Sequence, residues 1–187
     1  MRRGAIVTIR AMNRPSRLAS SRAAGLAAAL AVLSAAPGLE VAAIGQSPDG
    51  GTEAAALMAA NDGFYAALNK VLAGDPSGMA GVWSHGNGVS DFGPFGKMLD
   101  GWPEVEHRFG EEAAKRMGGS VTCENAAAFV GDEMGIVTCI EAAGGLMIDG
   151  KSVTVRTRAT NVFTREGGAW KMIHHHADAT LAPVSRR

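Results

Sequence analysis

The chain has 187 residues, 47% of them hydrophobic and 19% charged, with 18 Lys and Arg balancing 18 Asp and Glu. That length suits one folded domain, the apolar share excludes a disordered chain, and two cysteines exclude a disulfide-dense scaffold. The zero net charge conceals a segregation. Residues 1–43 carry six arginines against Glu40, and residues 44–187 carry 12 basic against 17 acidic groups, so a nucleic-acid partner is not expected.

The basic leader comes first. Its arginines are followed by a 14-residue apolar run at 23–36 (AAGLAAALAVLSAA) and a segment ending in small residues, the three parts of a secretory signal peptide. A membrane-spanning helix needs about 20 apolar residues, so the alternative of a retained anchor is the weaker one. A cut after Ala43 places Val41 and Ala43 in the recognition positions. The expected organisation is a signal peptide at 1–43 (starting at Met1 or Met12), a linker at 44–52, a domain at 53–182 and a tail at 183–187. The mature form is then secreted or periplasmic, with no membrane attachment.

Along the domain, Leu57, Asn61, Phe64, Leu68, Val71 and Leu72 recur at helical spacing and predict a helix over 53–73 that stops at Gly74. Asp75-Pro76 predicts the start of a short second helix running to about Trp83. A glycine-rich stretch follows, with room for one strand near 89–92. Trp102-Pro103 opens a third helix, ended by Gly118-Gly119. Residues 121–130 and 134–143 flank Gly131-Asp132 as a hairpin, and 152–164 pairs with 169–177 across a second turn. Three helices and then a meander of strands make an α+β layout.

The segments SHGNGVSDFGPFG (84–96), GW (101–102) and VRTRATNVFTREGGAWKMIHHHAD (155–178) resemble the SnoaL-like branch of the nuclear transport factor 2-like superfamily. The resemblance spans roughly residues 53–180. It implies a cone-shaped bent antiparallel sheet wrapped around three N-terminal helices and enclosing a pocket, and a homodimer as is common in that superfamily. A ketosteroid-isomerase site needs a carboxylate base and two acidic donors. By the same resemblance, those places fall here on Gly93, on Ala67 and on Thr160 or Asn161, none of which fits. Asp91 lies two residues from the base position, and Tyr65, two residues from Ala67, is expected to point elsewhere.

Strand alternation puts His174 and His176 on one face with Trp170 and Met172, and His175 on the other. Two readings of His174 and His176 stand open: they bind a ligand or shuttle a proton near neutral pH, or they are core histidines bonded to backbone or to Asp178. Two such histidines need a third ligand, which His85 or Asp91 could supply only from the facing loop, and the run lacks the usual zinc spacing, so no metal and no cofactor is expected. Arg156 and Arg158 are expected on a solvent-facing or dimer-facing side of the sheet. Trp83, His85, Trp102, Asn161 and His174 are the candidate ligand contacts, and Asp91 and His176 the candidate catalytic groups. The leading expectation is an exported small-molecule-binding protein with no assigned reaction. The alternative is an isomerase, cyclase or hydrolyase acting on a small apolar carbonyl compound through Asp91 or His176. Cys123 and Cys139 are expected as buried free thiols, with a cross-strand disulfide as the other possibility.

Overall fold

The computed structural model describes residues 7–10 and 49–179; most of the expected leader and the tail at 183–187 lie outside the described residues. The chain order is β1 (Val7–Arg10), α1 (Asp49–Ala73), α2 (Met79–Val82), β2 (Ser90–Phe92), β3 (Leu99–Asp100), α3 (Trp102–Lys115), β4 (Ser120–Val130), β5 (Met134–Ile148), β6 (Lys151–Glu166) and β7 (Ala169–Ala179). One open sheet has the order β1-β4-β5-β6-β7-β2-β3. All its neighbours are antiparallel except β2, which runs parallel to β7. The expected all-antiparallel sheet is thus a mixed one, because the chain crosses from α2 to reach the far edge of β7.

The helical spacing in α1 has the consequence expected of it: Leu57, Asn61, Phe64, Val71 and Leu72 are buried. The helix starts before residue 53, so residues 49–52, read as linker, are its first turn. Asp75 turns the chain by accepting the Ser77 N–H at 3.0 Å, and α2 starts only at Met79. Val105 and Phe109 of α3 join Leu57, Phe64 and Val71 against Val137, Phe163 and Met172 of the sheet, and this layer is the core.

The strands are longer and less regular than alternation suggests. β5 passes through Gly144-Gly145 with a shift of register and turns into β6 at Asp149-Gly150, both at positive φ (50° and 74°), as a tight hairpin requires. In β4 the register slips between Glu124 and Ala127, with Asn125 at φ 54°. Cys123 faces Glu141 in the ladder, two places from Cys139. The bulge bends β4 and brings the two cysteines into a disulfide with Cα atoms 5.6 Å apart. The expectation of free thiols is corrected by that bulge. β1 pairs with β4 from Val7↔Val130 to Arg10↔Ala127; it lies within the expected leader, and removal of the leader would leave β4 as an edge.

Helix α1 sits so close to β5 that a Cβ added at Gly135 would lie 2.6 Å from Leu57 Cδ2, and Leu57 is fully buried with nowhere to turn. Gly135→Ala should therefore destabilise the fold by about 1–3 kcal/mol in denaturant unfolding, and Leu57→Ala in the same chain should recover part of that loss.

Candidate functional site

Inward-facing groups of β2, β7 and β6 stand side by side because Asp91 pairs with His175 and His175 with Asn161. The β6–β7 ladder has an irregularity here: Phe163 pairs with Met172 but Val162 with His174, leaving Ile173 as an extra residue. Before that bulge Trp170 and Met172 are buried; after it His175 and Ala177 are. The alternation on which His174 and His176 were assigned to the cavity is broken at Ile173. His176 is exposed and His174 half-buried, both on the opposite face, where they meet the edge of Phe92. His174 Nδ1 lies 2.8 Å from Ser90 Oγ.

Between α1, α3 and the sheet lies a cavity of about 110 Å³, a size comparable with cavities of about 150 Å³ that hold a single aromatic ring. Its walls are mostly apolar, from Phe64, Leu68 and Leu72 to Phe109, Val121 and Leu146. Four groups of acid–base character line it: Asp91, Glu141, His175 and Glu112, with Arg108 and Thr157 between them. Residues 93–97 supply its rim through Gly93, Pro94, Phe95 and Lys97. Arg108 clips this rim by donating from Nη2 to the Phe95 carbonyl (2.7 Å), and it donates from Nε to Glu112 at 2.9 Å.

Behind the cavity wall the polar groups form a connected cluster. Tyr65 Oη donates to Glu141 Oε1 at 3.0 Å and Thr157 Oγ1 to Glu141 Oε2 at 2.9 Å. Asn161 Nδ2 donates to Asn61 Oδ1 at 2.7 Å and to Tyr65 Oη at 3.3 Å, while its own Oδ1 lies 2.7 Å from His175 Nδ1. The disulfide touches both ends: Asn61 Nδ2 is 3.4 Å from Cys123 Sγ, and Tyr65 Oη is 3.4 Å from Cys139 Sγ. Among the described residues Asp91 Oδ1 has no hydrogen-bond partner.

Burial sets the protonation states. It pushes the pKa of Asp91, with help from the nearby Glu112 carboxylate, up to about 7. It raises Glu141 as well, against the opposing hydrogen bonds from Thr157 and Tyr65. It pushes His175, aided by His174 and His176, down to about 3. Tyr65 is held far above the usual phenol range by burial and then by Glu141. His175 Nε2 is 3.7 Å from Glu141 Oε1, but burial keeps His175 uncharged, so the contact is not a salt bridge.

Of the residues singled out from the sequence, the structure brings Asp91 to the cavity. Asn161 is fully buried behind it. Trp83 is core, edge-on to Phe64 and tilted against Phe109. His85 stacks on Trp102 at 4.5 Å, away from the cavity. Arg156 and Arg158 pair outward with Glu124 and Asp178, each at 2.7 Å. Tyr65 points inward, contrary to expectation, because it shares the buried side of α1 with Asn61 and Phe64. Glu141 and Thr157 were not anticipated, although alternation from Val137 through Cys139 to Ala143 places Glu141 on the inner face. Among the described residues no cluster of three or more His, Cys, Asp or Glu could hold a metal ion, and no helix is long and apolar enough to cross a membrane.

The SnoaL-like domain family model matches residues 57–181. No match is found among the curated proteins. Among solved structures, a Streptomyces avermitilis protein described as a candidate dehydratase of the NTF2-like family is 27% identical. That match has a TM-score of 0.61 and covers 71% of this chain and 99% of the other. A candidate calcium/calmodulin-dependent protein kinase II association domain from Thiobacillus denitrificans is 25% identical, with a TM-score of 0.55 over 66% of this chain and 94% of that one. A candidate ketosteroid isomerase from Shewanella frigidimarina, 22% identical with a TM-score of 0.53 over 64% and 92%, shares the fold.

Asp91 ionises at 3.8 when unfolded and at about 7 when folded, so the native state binds the extra proton in between and stability falls as pH rises from about 4 to 7. Asp91→Asn removes this dependence. Relative to wild type, the variant should gain on the order of 4 kcal/mol at most between pH 4 and pH 8, read from denaturant melts at the two pH values. An equal response of the two proteins would contradict the buried, uncharged Asp91.

Proposed function

The chain belongs to the SnoaL-like domain family, and from that premise we propose that its cavity binds a small, largely apolar carbonyl compound and moves a proton on it. The carrying observation is Asp91: a carboxylate 6% exposed, with one oxygen unpartnered, at the edge of an apolar cavity. With a pKa near 7 it is poised as a general base at neutral pH. Glu141, whose pKa burial raises and which Tyr65 and Thr157 hold in place, serves as the proton donor. For a β-hydroxy carbonyl substrate, Asp91 takes the proton from the carbon beside the carbonyl. The electron pair forms the new double bond as the hydroxyl leaves with the proton of Glu141 as water. Asp91 ends protonated and Glu141 ionised, and a proton passing between them restores both.

The 27% identity to a protein described as a candidate dehydratase supports this reading. His176, the alternative base, is set aside because it stands exposed on the outer face. The test uses a panel of small β-hydroxy ketones, followed by the ultraviolet absorbance of the conjugated product. Asp91→Asn and Glu141→Gln should each lower kcat by about 10²–10⁴-fold, and native mass spectrometry should still show the ketone retained. Retention of ketones without turnover by the wild type would reduce the site to a binding pocket.

We also propose that the mature chain is exported and dimeric. The basic leader with its apolar run and the Cys123–Cys139 disulfide support an oxidising compartment. The outer sheet face carries partly buried Phe129, Ile136, Ile140 and Val162, and the neighbour described as an association domain supports assembly. Intact mass of the exported protein should show loss of the leader and, on reduction, a gain of two hydrogens, and sedimentation should give twice that mass. A full-length monomer would contradict both.

A further inference from the structure

Hydrogen-bond polarity can be followed from the disulfide to the cavity. A disulfide sulfur has no hydrogen and can only accept, so Cys123 Sγ takes a donor from Asn61 Nδ2 at 3.4 Å. Asn61 is thereby turned with Oδ1 toward Asn161, whose Nδ2 donates to it at 2.7 Å and to Tyr65 Oη at 3.3 Å. Both hydrogens of that amide are committed, which leaves Asn161 only an acceptor, Oδ1, for His175 Nδ1 at 2.7 Å. Two acceptors cannot meet at that distance. We infer that Asn161, backed by Asn61 and the disulfide, is a positioning residue that holds His175 in the tautomer protonated on Nδ1, with a bare Nε2 facing Glu141.

The surroundings agree with a neutral ring. His175 is 5% exposed and lies 5.1 Å from the Phe64 ring. The titratable groups around it are Asp91 on β2, Glu141 on β5, Tyr65 on α1, and His174 and His176 on its own strand. Burial and the two flanking histidines disfavour the imidazolium. The lone pair on Nε2 then faces Glu141 Oε1 at 3.7 Å. That separation is longer than a hydrogen bond, so it is the 2.7 Å contact with Asn161 that orients the ring. The tautomer follows from geometry alone; its bearing on turnover rests on the proposed function, which needs an uncharged ring held beside Asp91 and Glu141.

The test is long-range proton–nitrogen correlation NMR on the uniformly nitrogen-15-labelled, oxidised chain, with the His175 ring identified by its loss in His175→Gln. The wild type should show a protonated Nδ1 and a bare Nε2. Asn161→Asp, which keeps an acceptor in place, should keep Nδ1 protonated. Asn161→Ala should let the Nε2-protonated form appear and, given a substrate, lower kcat at least tenfold with KM changed less than about twofold. A wild-type ring protonated on Nε2 would overturn the inference, as would an Asn161→Ala ring unchanged in a chain whose amide spectrum is native. Should Asn161→Ala fail to fold, the wild type and Asn161→Asp still decide. Absence of turnover with every ketone would remove the proposed reaction and leave the ring pattern standing.

Discussion

Between Met172 and His174 the ladder joining β7 to β6 takes in Ile173 as an extra residue, and the whole acid–base arrangement hangs on that insertion. Upstream of it β7 gives Trp170 and Met172 to the core; downstream it gives His175 and Ala177. Without the insertion, His174 and His176 would enter the interior and His175 would leave it. A bulge re-aims side chains at the cost of an unpaired residue. Here it aligns one imidazole between Asp91 on one neighbouring strand and Asn161 on the other.

Burying so many polar groups is tolerable because nearly all of them are satisfied and few are charged. An unpaired buried amide or hydroxyl costs roughly 1–3 kcal/mol, so the Asn61, Tyr65, Asn161, Thr157 cluster would be a liability if it were only partly bonded. Instead each member has a partner within 3.4 Å, and the disulfide sulfurs complete the two ends. Asp91 stands outside that cluster. It lines the cavity with one oxygen unpartnered, and stability is sacrificed at the place where chemistry is proposed.

The architecture was legible because it is written in periodicity: the α1 and α3 stripes and the β4–β5 and β6–β7 hairpins stand where spacing and turn residues place them. Along β6 the alternation of Arg156 and Arg158 against Thr157 and Asn161 is regular, and it separates outer from inner faces correctly. β7 defeated the same rule because a bulge carries no signature in a run such as Met-Ile-His-His-His, every residue of which is compatible with either face. The cysteine pairing failed for the same reason at residues 124–127. Glu141 was readable from its neighbours Val137, Cys139 and Ala143, but a lone acid in an apolar strand signals a site only once a cavity is seen beside it. Parallel pairing of β2 with β7 was beyond reach, since partners 84 residues apart (Ser90 with His174) leave no local trace.

Charge around the cavity narrows what can occupy it. Arg108 lines the cavity with Asp91, but its guanidinium is already engaged by Glu112 and by the Phe95 carbonyl. Lys97, at the rim, leans on Glu104 at 3.3 Å. Among the described residues, an anionic guest would find no lining cation that is not already paired, and it would face Asp91, Glu112 and Glu141 together. A cationic guest would ionise Asp91 by pairing with it and so consume the base that the reaction needs. A neutral molecule avoids both outcomes: its apolar body fills the space between Phe64, Leu72, Phe109 and Leu146, and its polar end meets Asp91 and Glu141. The carbonyl compound proposed as substrate is the neutral guest that also gives those two carboxyl groups a proton to move.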